Sequence, residues 1–342
     1  MANWQTIEEL KDIFIKEYTY SKLGSKLEKA CSEEYELARD YNGRQILELL
    51  QNVDDAYSET GTDNEDDVSV KIILKDNILE VGNTGTTFSQ ETIERLCLGR
   101  ASEKSSKNIG NKGTGFRALL NDAEWVEVHS GDFSIRFSEQ YAQEQFEQYV
   151  NKFSNKFSSV IYRQLQGWKK EYNLCFPIMN CPEQIARRET GFDTLIRVKL
   201  KEENRDKSAG ILNQLRQPFY KSLLFLPNIT QIEIVIDDVI KTFEKVVVGK
   251  QVLLSESQNT LSSYYVEEKK NVLVSGNKAA NLIIAVPLEE DYDFLNEKLY
   301  CYFPIRNCKT PVNSLIHAPF LTNNSRDDIP NDNEQINKKI FE

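Results

Sequence analysis

The chain has 342 residues, 40% of them hydrophobic, and a formal net charge of −11. This length and composition allow two globular domains, each with its own core. The negative charge disfavours a general nucleic-acid binder, although it does not exclude a local basic patch. The absence of a membrane-length apolar run and of a signal-peptide pattern predicts a cytoplasmic protein with no membrane partner.

Cysteine and histidine usage narrows the possible chemistry. The six cysteines form no C-x-x-C pair, and the chain has only two histidines. A zinc site or a disulfide framework is therefore not expected. The shortage of histidine also disfavours a hydrolase that depends on a Ser–His or Cys–His pair.

The segment from Glu48 to Ala56 predicts a helix with an unusual polar stripe. Glu48, Asn52 and Asp55 stand at positions i, i+4 and i+7, so a carboxylate, an amide and a second carboxylate share one face. Leu49, Leu50 and Val53 fall on other faces and can pack. The stripe either faces water or receives a ligand that satisfies its polar groups.

A β-hairpin is predicted after this helix. Residues 4–40, before the Glu48 helix, read as two helices broken near Gly24. Between Val68 and Leu74 the apolar residues recur at every second position, which predicts a strand. A turn at 75–77 leads to a return strand over Ile78–Val81. That strand runs into Asn83 and Gly85, where glycine allows a close ligand approach and the amide can bind the edge of a planar base. A simple β-turn is the alternative.

A glycine-rich loop follows a helix that Ser89 is expected to cap. Residues 99–107 are polar and basic, and the pattern G-x-x-G-x-G-F begins at Gly110. Backbone N–H groups of such a loop, placed before a helix, can converge on phosphate oxygens. The pattern lacks the final Gly-Lys-Ser/Thr of a Walker A loop, and no strand precedes it as in a Rossmann fold.

The remaining sequence alternates between strands and helices. Strands are predicted near 125–129, 133–137 and 192–200, where the first domain would end. A long helix over Ala209–Phe225 then opens a second domain, 201–342, that is rich in strands. The last segment, Asn333–Phe341, reads as a helix without a cap, which favours continuation into a longer protein.

Three segments in order carry a resemblance to a known family: Glu48-x-x-x-Asn52-x-x-Asp55-Ala56, Asn83-x-Gly85 and Gly110-x-x-Gly113-x-Gly115-Phe116. The order resembles the GHKL ATPase superfamily of DNA gyrase, the ninety-kilodalton heat-shock chaperone, histidine kinases and MutL. The run Gly43–Asn52 is especially similar to the sacsin-type branch. The motifs cover residues 41–200, and weaker similarity continues to the end.

The resemblance implies a role for each matching residue. Glu48 would be the general base that activates water, and Asn52 would hold Mg²⁺. Thr194 would help to hold adenine. The other residues of the implied nucleotide pocket are Asp55, Ala56, Asn83, Gly85, Lys104, Gly110, Gly113, Thr114, Gly115 and Phe116, and residues 99–115 would form a lid.

Two positions depart from the family pattern. Asn83 stands where an aspartate usually accepts the adenine amino group, and a neutral amide oxygen makes the weaker hydrogen bond. Thr87 replaces the usual second glycine of the same motif.

From the second domain, Arg326 is the candidate that would reach the γ-phosphate, and pairing with Asp327 or Asp328 is its alternative role.

The implied fold is α+β. It would be a two-layer α/β sandwich with a mixed, mostly antiparallel sheet at 41–200, preceded by a helical segment at 1–40 and followed by a mixed α/β domain. The implied function is Mg²⁺-dependent ATP binding and slow hydrolysis, used as a conformational switch. An ATP-dependent homodimer and an unidentified protein client would be its partners.

Three other functions compete with this one. A nucleotide-binding switch could hold ATP without hydrolysing it, although Glu48 would then have no task. A histidine kinase would need a phosphoacceptor histidine upstream, and the first histidine is His129. A DNA-processing clamp of the gyrase or MutL type is disfavoured by the acidic balance.

Overall fold

The computed structural model describes residues 6–20, 23–40, 43–59, 68–98, 114–152, 176–202, 205–216, 219–275, 278–320, 322–323 and 328–330. The chain groups into two compact units whose segments interleave. Unit 1 comprises Met1–Gln45, Lys75–Gly82 and Thr86–Ser208. Unit 2 comprises Ile46–Leu74, Asn83–Gly85 and Ala209–Glu342.

Unit 1 combines helices with a small sheet. Its helices are α1 (Ile7–Tyr20), α2 (Leu23–Asp40), α4 (Gln90–Leu98), α5 (Thr114–Arg117) and α6 (Glu139–Lys152). Its strands are β2 (Ile78–Asn83, whose last residue belongs to unit 2), β3 (Ala123–Ser130), β4 (Phe133–Ser138), β5 (Glu183–Gln184) and β6 (Thr194–Leu200). Short 3₁₀ turns cover Ala118–Asn121 and Ile178–Asn180.

The sheet of unit 1 follows from strand alternation. β3 pairs antiparallel with both β4 and β6, so that Val128 faces Ile135 on one side and Ile196 on the other. All three of these side chains are buried. A separate cluster forms where α2 and α6 pack against Phe176, with Leu27 and Phe146 among its buried members. Apolar residues at a period of two thus place one face of the sheet in the core.

Unit 2 contains one long helix and most of the strands. Its helices are α3 (Gln45–Glu59, from Ile46 onward) and the larger part of α7 (Arg205–Arg216), followed by a 3₁₀ helix at Phe219–Phe225. Its strands are β1 (Val68–Lys75), β7 (Ile229–Ile236), β8 (Val239–Val248), β9 (Gln251–Glu256), β10 (Asn259–Ser275), β11 (Lys278–Pro287), β12 (Lys298–Cys301), β13 (Phe303–Lys309) and β14 (Leu315–His317).

The strands of unit 2 are ordered β13-β12-β14-β11-β10-β9-β8-β7-β1. β7 to β11 form a meander of antiparallel neighbours. β1 pairs in parallel with β7, with Val70 beside Ile232 and Ile72 beside Ile234. β1 alternates buried and more exposed residues, and β7 buries Ile229, Ile232 and Ile234, because one face of each strand packs in the core.

The architecture agrees with the expected α+β class in its coarse form: helices accompany a mixed, mostly antiparallel set of strands. The hairpin turn at 75–77 is confirmed, since Asp76 and Asn77 both have positive φ, as a tight two-residue turn requires. The helix that follows Ser89 is also confirmed. The Ser89 Oγ accepts a hydrogen bond from the N–H of Thr92 at 3.2 Å.

Two helix predictions were wrong in detail. The single helix expected over Ala209–Phe225 is instead α7, which ends at Arg216, and a separate 3₁₀ helix from Phe219. Pro218 lies between them, and proline has no N–H for a continuing helix. The two N-terminal helices expected on either side of Gly24 are confirmed as α1 and α2, but α2 already begins at Leu23, so Gly24 lies in its first turn. The helix expected over Asn333–Phe341 lies outside the described residues.

The domain boundaries expected at residues 40 and 200 stay a prediction. No helix in the described part of the chain is long and apolar enough to cross a membrane.

Candidate nucleotide site

The polar stripe expected at Glu48 lies on helix α3, as the sequence indicated. Glu48 is buried with 5% of its surface exposed, whereas Asn52 and Asp55 are half-buried. Leu49, at 1% exposure, belongs to the apolar face that anchors the helix. The stripe is therefore not a fully solvated surface, and its buried carboxylate carries a desolvation cost that polar partners must offset.

The loop that ends β2 belongs to the same unit as α3. Asn83 is 3% exposed, and its Nδ2 donates to the carbonyl of Thr84 at 3.2 Å. Gly85 has φ +105, a conformation that disfavours every other residue. A Cβ at Gly85 would lie 3.2 Å from both Tyr57 Cδ2 of α3 and a Val68 methyl. The absence of a side chain thus lets this loop lie against the helix.

Hydrogen bonds hold the same loop to β1. The N–H of Thr84 donates to the carbonyl of Ser69 at 3.1 Å. The N–H of Ser69 in turn donates to Thr84 Oγ1 at 3.2 Å, and the two hydroxyls are 3.2 Å apart. The position of Asn83 relative to the strand is therefore set by both backbone and side-chain bonds.

Helix α3 is anchored from behind by Asp54. The Asp54 Oδ1 accepts from the N–H groups of Asn228 at 2.9 Å and Ile229 at 3.3 Å. Burial raises the pKa of Asp54 to about 6, against the two backbone donors and Lys245, which lower it. Burial lowers the pKa of Lys245 to about 8. At its first turn α3 is held by Gln214, whose Oε1 accepts from the N–H of Ile46 at 3.2 Å.

Thr194, the expected adenine contact, lies at the start of β6 in unit 1 and is 1% exposed. Its hydroxyl donates to the carbonyl of Thr86 at 3.1 Å and lies 2.6 Å from Ser130 Oγ. Ser130 Oγ also accepts from the N–H of Phe88 at 2.7 Å. The Thr194 proton is thus engaged within the protein, and its oxygen is what it offers to a further donor.

The expected lid is described only at its end. Thr114 and Gly115 lie in α5, so the helix begins before the last glycine of the motif rather than after it. Phe116 is buried, at 1% exposure. Lys104, Gly110 and Gly113 lie outside the described residues, and so does Arg326, the expected second-domain contact.

A buried ion pair beside α5 was not predicted from the sequence. Glu34 of α2 lies 3.8 Å from Arg117 Nε, and both side chains are nearly inaccessible. The Glu34 carboxylate accepts from the N–H groups of Ile178 and Met179 at 2.6 and 2.9 Å. Arg117 donates to the carbonyl of Cys97 at 3.1 Å. Burial raises the pKa of Glu34, while the Arg117 charge opposes that shift. Partners so distant in sequence leave no local signal.

A cleft of about 340 Å³ in unit 1 was also missed. Its walls come from Thr87, the β3–β4 turn and residues 187–193. His129, which the sequence placed on a strand beside this turn, lines the cleft at 5% exposure. His129 Nδ1 lies 3.1 Å from Ser134 Oγ. Burial lowers the pKa of His129, against the raising influence of Glu127.

Within the described ranges no group of three or more His, Cys, Asp or Glu residues is placed to hold a metal ion. An amide such as that of Asn52 supplies one oxygen ligand, which suits Mg²⁺ because this ion keeps waters and substrate phosphates in its shell.

Comparison with known proteins shows a distant similarity to a plant protein. The chain is 23% identical over 332 residues to Protein NO VEIN of Arabidopsis thaliana, and the match covers 92% of this chain. The chain spans only 11% of the length of that relative. No protein-family model matches the sequence.

Proposed function

We propose that this chain binds Mg-ATP beside helix α3 and hydrolyses it slowly. The observation that carries the proposal is the meeting of two motifs that stand apart in the sequence. Gly85 lies against Tyr57 of α3, in the unit that also contains Glu48, Asn52 and Asn83. A buried carboxylate, a half-buried amide and a buried amide at a glycine turn match the donor and acceptor needs of a nucleotide.

The residues divide the work as follows. Mg²⁺, when bound, would neutralise phosphate charge, and Asn52 would supply its protein ligand. Glu48 would accept a proton from a water whose oxygen attacks the γ-phosphorus. The bond from that phosphorus to the β–γ bridging oxygen breaks, and ADP and phosphate leave. Because Glu48 is buried, its carboxylate would orient the water in a site with little competing solvent.

Adenine would be held by one weak side-chain hydrogen bond and by close approach to the backbone. Asn83 would accept from the adenine amino group through its amide oxygen, which is a weaker acceptor than a carboxylate. Gly85 would let the purine approach the backbone.

The resemblance extends the proposal to a nucleotide-dependent homodimer, which analytical ultracentrifugation with a non-hydrolysable ATP analogue would reveal as a change in sedimentation.

Single-turnover hydrolysis and equilibrium ATP binding test the proposal together. We expect wild type to bind and hydrolyse, and Glu48→Gln to bind with hydrolysis reduced at least 100-fold, the scale of a general base. Asn52→Ala should lose Mg²⁺-dependent binding. Glu91→Gln, an exposed residue of α4, is the matched control and should behave as wild type.

Two outcomes would change the conclusion. Binding without phosphate release under any condition would leave a nucleotide-binding switch in place of an ATPase. Absence of Mg-ATP binding by the wild-type chain would refute the proposed function altogether.

A further inference from the structure

The rear face of α3 carries a polar group that the proposed reaction does not use. An α-helix turns by about 100° per residue, so Asp54 points roughly 160° away from Asn52 and about 120° away from Glu48. Asp54 is only 2% exposed. A carboxylate on the packed side of a helix is costly unless several partners hold it, so its partners indicate what it is for.

Three hydrogen bonds tie Asp54 to the loop that leads into β7. Asp54 Oδ1 accepts from the N–H groups of Asn228 and Ile229, and the Asn228 Nδ2 donates to the Asp54 backbone carbonyl at 3.0 Å. The helix and the start of β7 are therefore joined by three hydrogen bonds that involve a side chain and the main chain of α3. Such a set fixes both the rotation of the helix and its position along its axis.

A lysine from β8 holds the same loop from the other side. Lys245 Nζ donates to the carbonyl of Leu226 at 2.5 Å and to that of Pro227 at 3.2 Å. Lys245 is 8% exposed, and its charge acts on Asp54. The loop 226–228 is thus clamped between a negative group on α3 and a positive group on β8.

This arrangement adds little to stability, but it fixes the orientation of α3. Apolar residues of similar volume often stabilise a core as well as buried charged groups do, because the charges must be desolvated. Apolar packing, however, tolerates small rotations of a helix, whereas directional hydrogen bonds do not. On α3 a small rotation would turn Glu48 and Asn52 together, since they share one stripe.

We propose that Asp54, Asn228 and Lys245 form a positioning joint that sets the rotation of α3 and so aims Glu48 and Asn52 at Mg-ATP. The inference rests on the proposed function for its ligand. The joint itself rests on the contacts of Asp54. These residues are positioning residues, because none of them needs to touch the nucleotide.

The test compares variants that differ in what they remove. Asp54→Ala deletes the acceptor, whereas Asn228→Ala deletes the bond from Nδ2 and keeps the backbone N–H donor. Asp54→Asn keeps an oxygen for the two N–H groups. Glu297→Gln is the matched control, because Glu297 is a buried carboxylate of unit 2 that bonds Lys221 and Tyr292 instead of α3.

Two readouts are needed: the Kd for Mg-ATP, and hydrogen–deuterium exchange of peptides within 46–57. We expect Asp54→Ala to weaken binding about tenfold, equivalent to about 1.4 kcal/mol, and to speed exchange in α3. Asn228→Ala should show a smaller change in the same direction. Asp54→Asn should restore binding to within about threefold of wild type, a rescue that a loss of stability alone would not give. Glu297→Gln should leave both readouts unchanged.

The outcomes separate the joint from the function. If Asp54→Ala binds Mg-ATP like wild type and its α3 peptides exchange at the wild-type rate, the joint is refuted. If Asp54→Ala does not fold, Asn228→Ala decides by the same two criteria. If wild type binds no nucleotide, the proposed function fails, and the exchange rates of α3 still decide whether Asp54 fixes the helix.

Discussion

At the scale of single residues, the burial of Asp54 makes the free energy of unfolding depend on pH. The pKa of its carboxyl is about 6 in the folded chain, against an ordinary value of 3.8. A raised carboxyl pKa means that the folded state holds the proton more tightly than the unfolded state. The protonated Asp54 therefore contributes to the free energy of unfolding in full below the unfolded-state pKa, and this contribution is lost as the pH rises through about 6.

This linkage predicts a pH-dependent difference between wild type and Asp54→Asn. From pH 5 to pH 7 the free energy of unfolding of wild type should fall by about 1 kcal/mol relative to the variant, because only wild type ionises at this position. Urea denaturation at pH 5, 6 and 7 measures the difference. Parallel curves for the two proteins would contradict the raised pKa.

The residue scale also shows where sequence reading succeeds. The stripe of Glu48, Asn52 and Asp55 follows from helical periodicity alone, and Gly85 follows from its place after a strand. The partners of Asp54 could not be predicted, because Asn228 and Lys245 lie far along the chain and their own segments read as ordinary strand and turn. Burial of Glu34 and Arg117 was hidden for the same reason, since a charged residue normally indicates a surface.

At the scale of elements, β2 depends on a glycine for its packing. A Cβ at Gly82 would lie 2.5 Å from the ring of Phe192, so the ring now occupies the space that a side chain would need. We expect Gly82→Ala to lower the free energy of unfolding by about 1–3 kcal/mol, the usual cost of overpacking. Thermal and urea denaturation report this change.

A second substitution tests the cause. Phe192→Leu in the Gly82→Ala background should recover part of the loss, and the two changes should be non-additive because they share one space. Gly210→Ala is the contrasting control: Gly210 lies in α7, and an added Cβ would meet no atom within 4 Å apart from its chain neighbours and the backbone of its own helix. That change should be neutral or stabilising by up to about 1 kcal/mol. Equal losses at Gly82 and Gly210 would show that contact with Phe192 is unimportant.

Element types were more predictable than element ends. Alternating apolar residues identified β1, β3, β4 and β6, because each has one apolar face in the core. The break in the helix expected at Ala209–Phe225 was misjudged, since apolar spacing continues on both sides of Pro218 although the hydrogen-bond pattern cannot. The parallel pairing of β1 with β7 is invisible to local patterns, because periodicity identifies a strand but not its neighbour.

The Glu34–Arg117 pair tests the molecule as a whole. Its contacts join α2, α5 and the Ile178–Asn180 turn, all within unit 1. Removing the Glu34 carboxylate leaves the buried Arg117 guanidinium without its counter-charge. Glu34→Ala should therefore lower the free energy of unfolding by about 3–5 kcal/mol. Hydrogen–deuterium exchange at sub-denaturing urea should show faster exchange in α2 and α6.

Peptides from β9 to β11 serve as the internal control in that experiment. They belong to unit 2 and should keep their wild-type exchange rates at urea concentrations where unit 1 already opens. Simultaneous acceleration in both units would mean that the chain unfolds as one cooperative block. Glu33→Ala, an exposed neighbour on α2, should leave every peptide unchanged.

The parallel pairing of β1 with β7 has a consequence for synthesis of the chain. Val68 leaves the ribosome long before Ile229, its partner in the register. During that interval β1 presents unpaired N–H and C=O groups along one edge, a template for association with other chains. A fragment that ended near residue 200 would keep this edge exposed permanently. Such a fragment should aggregate, and adding β7 as a separate peptide should suppress the aggregation.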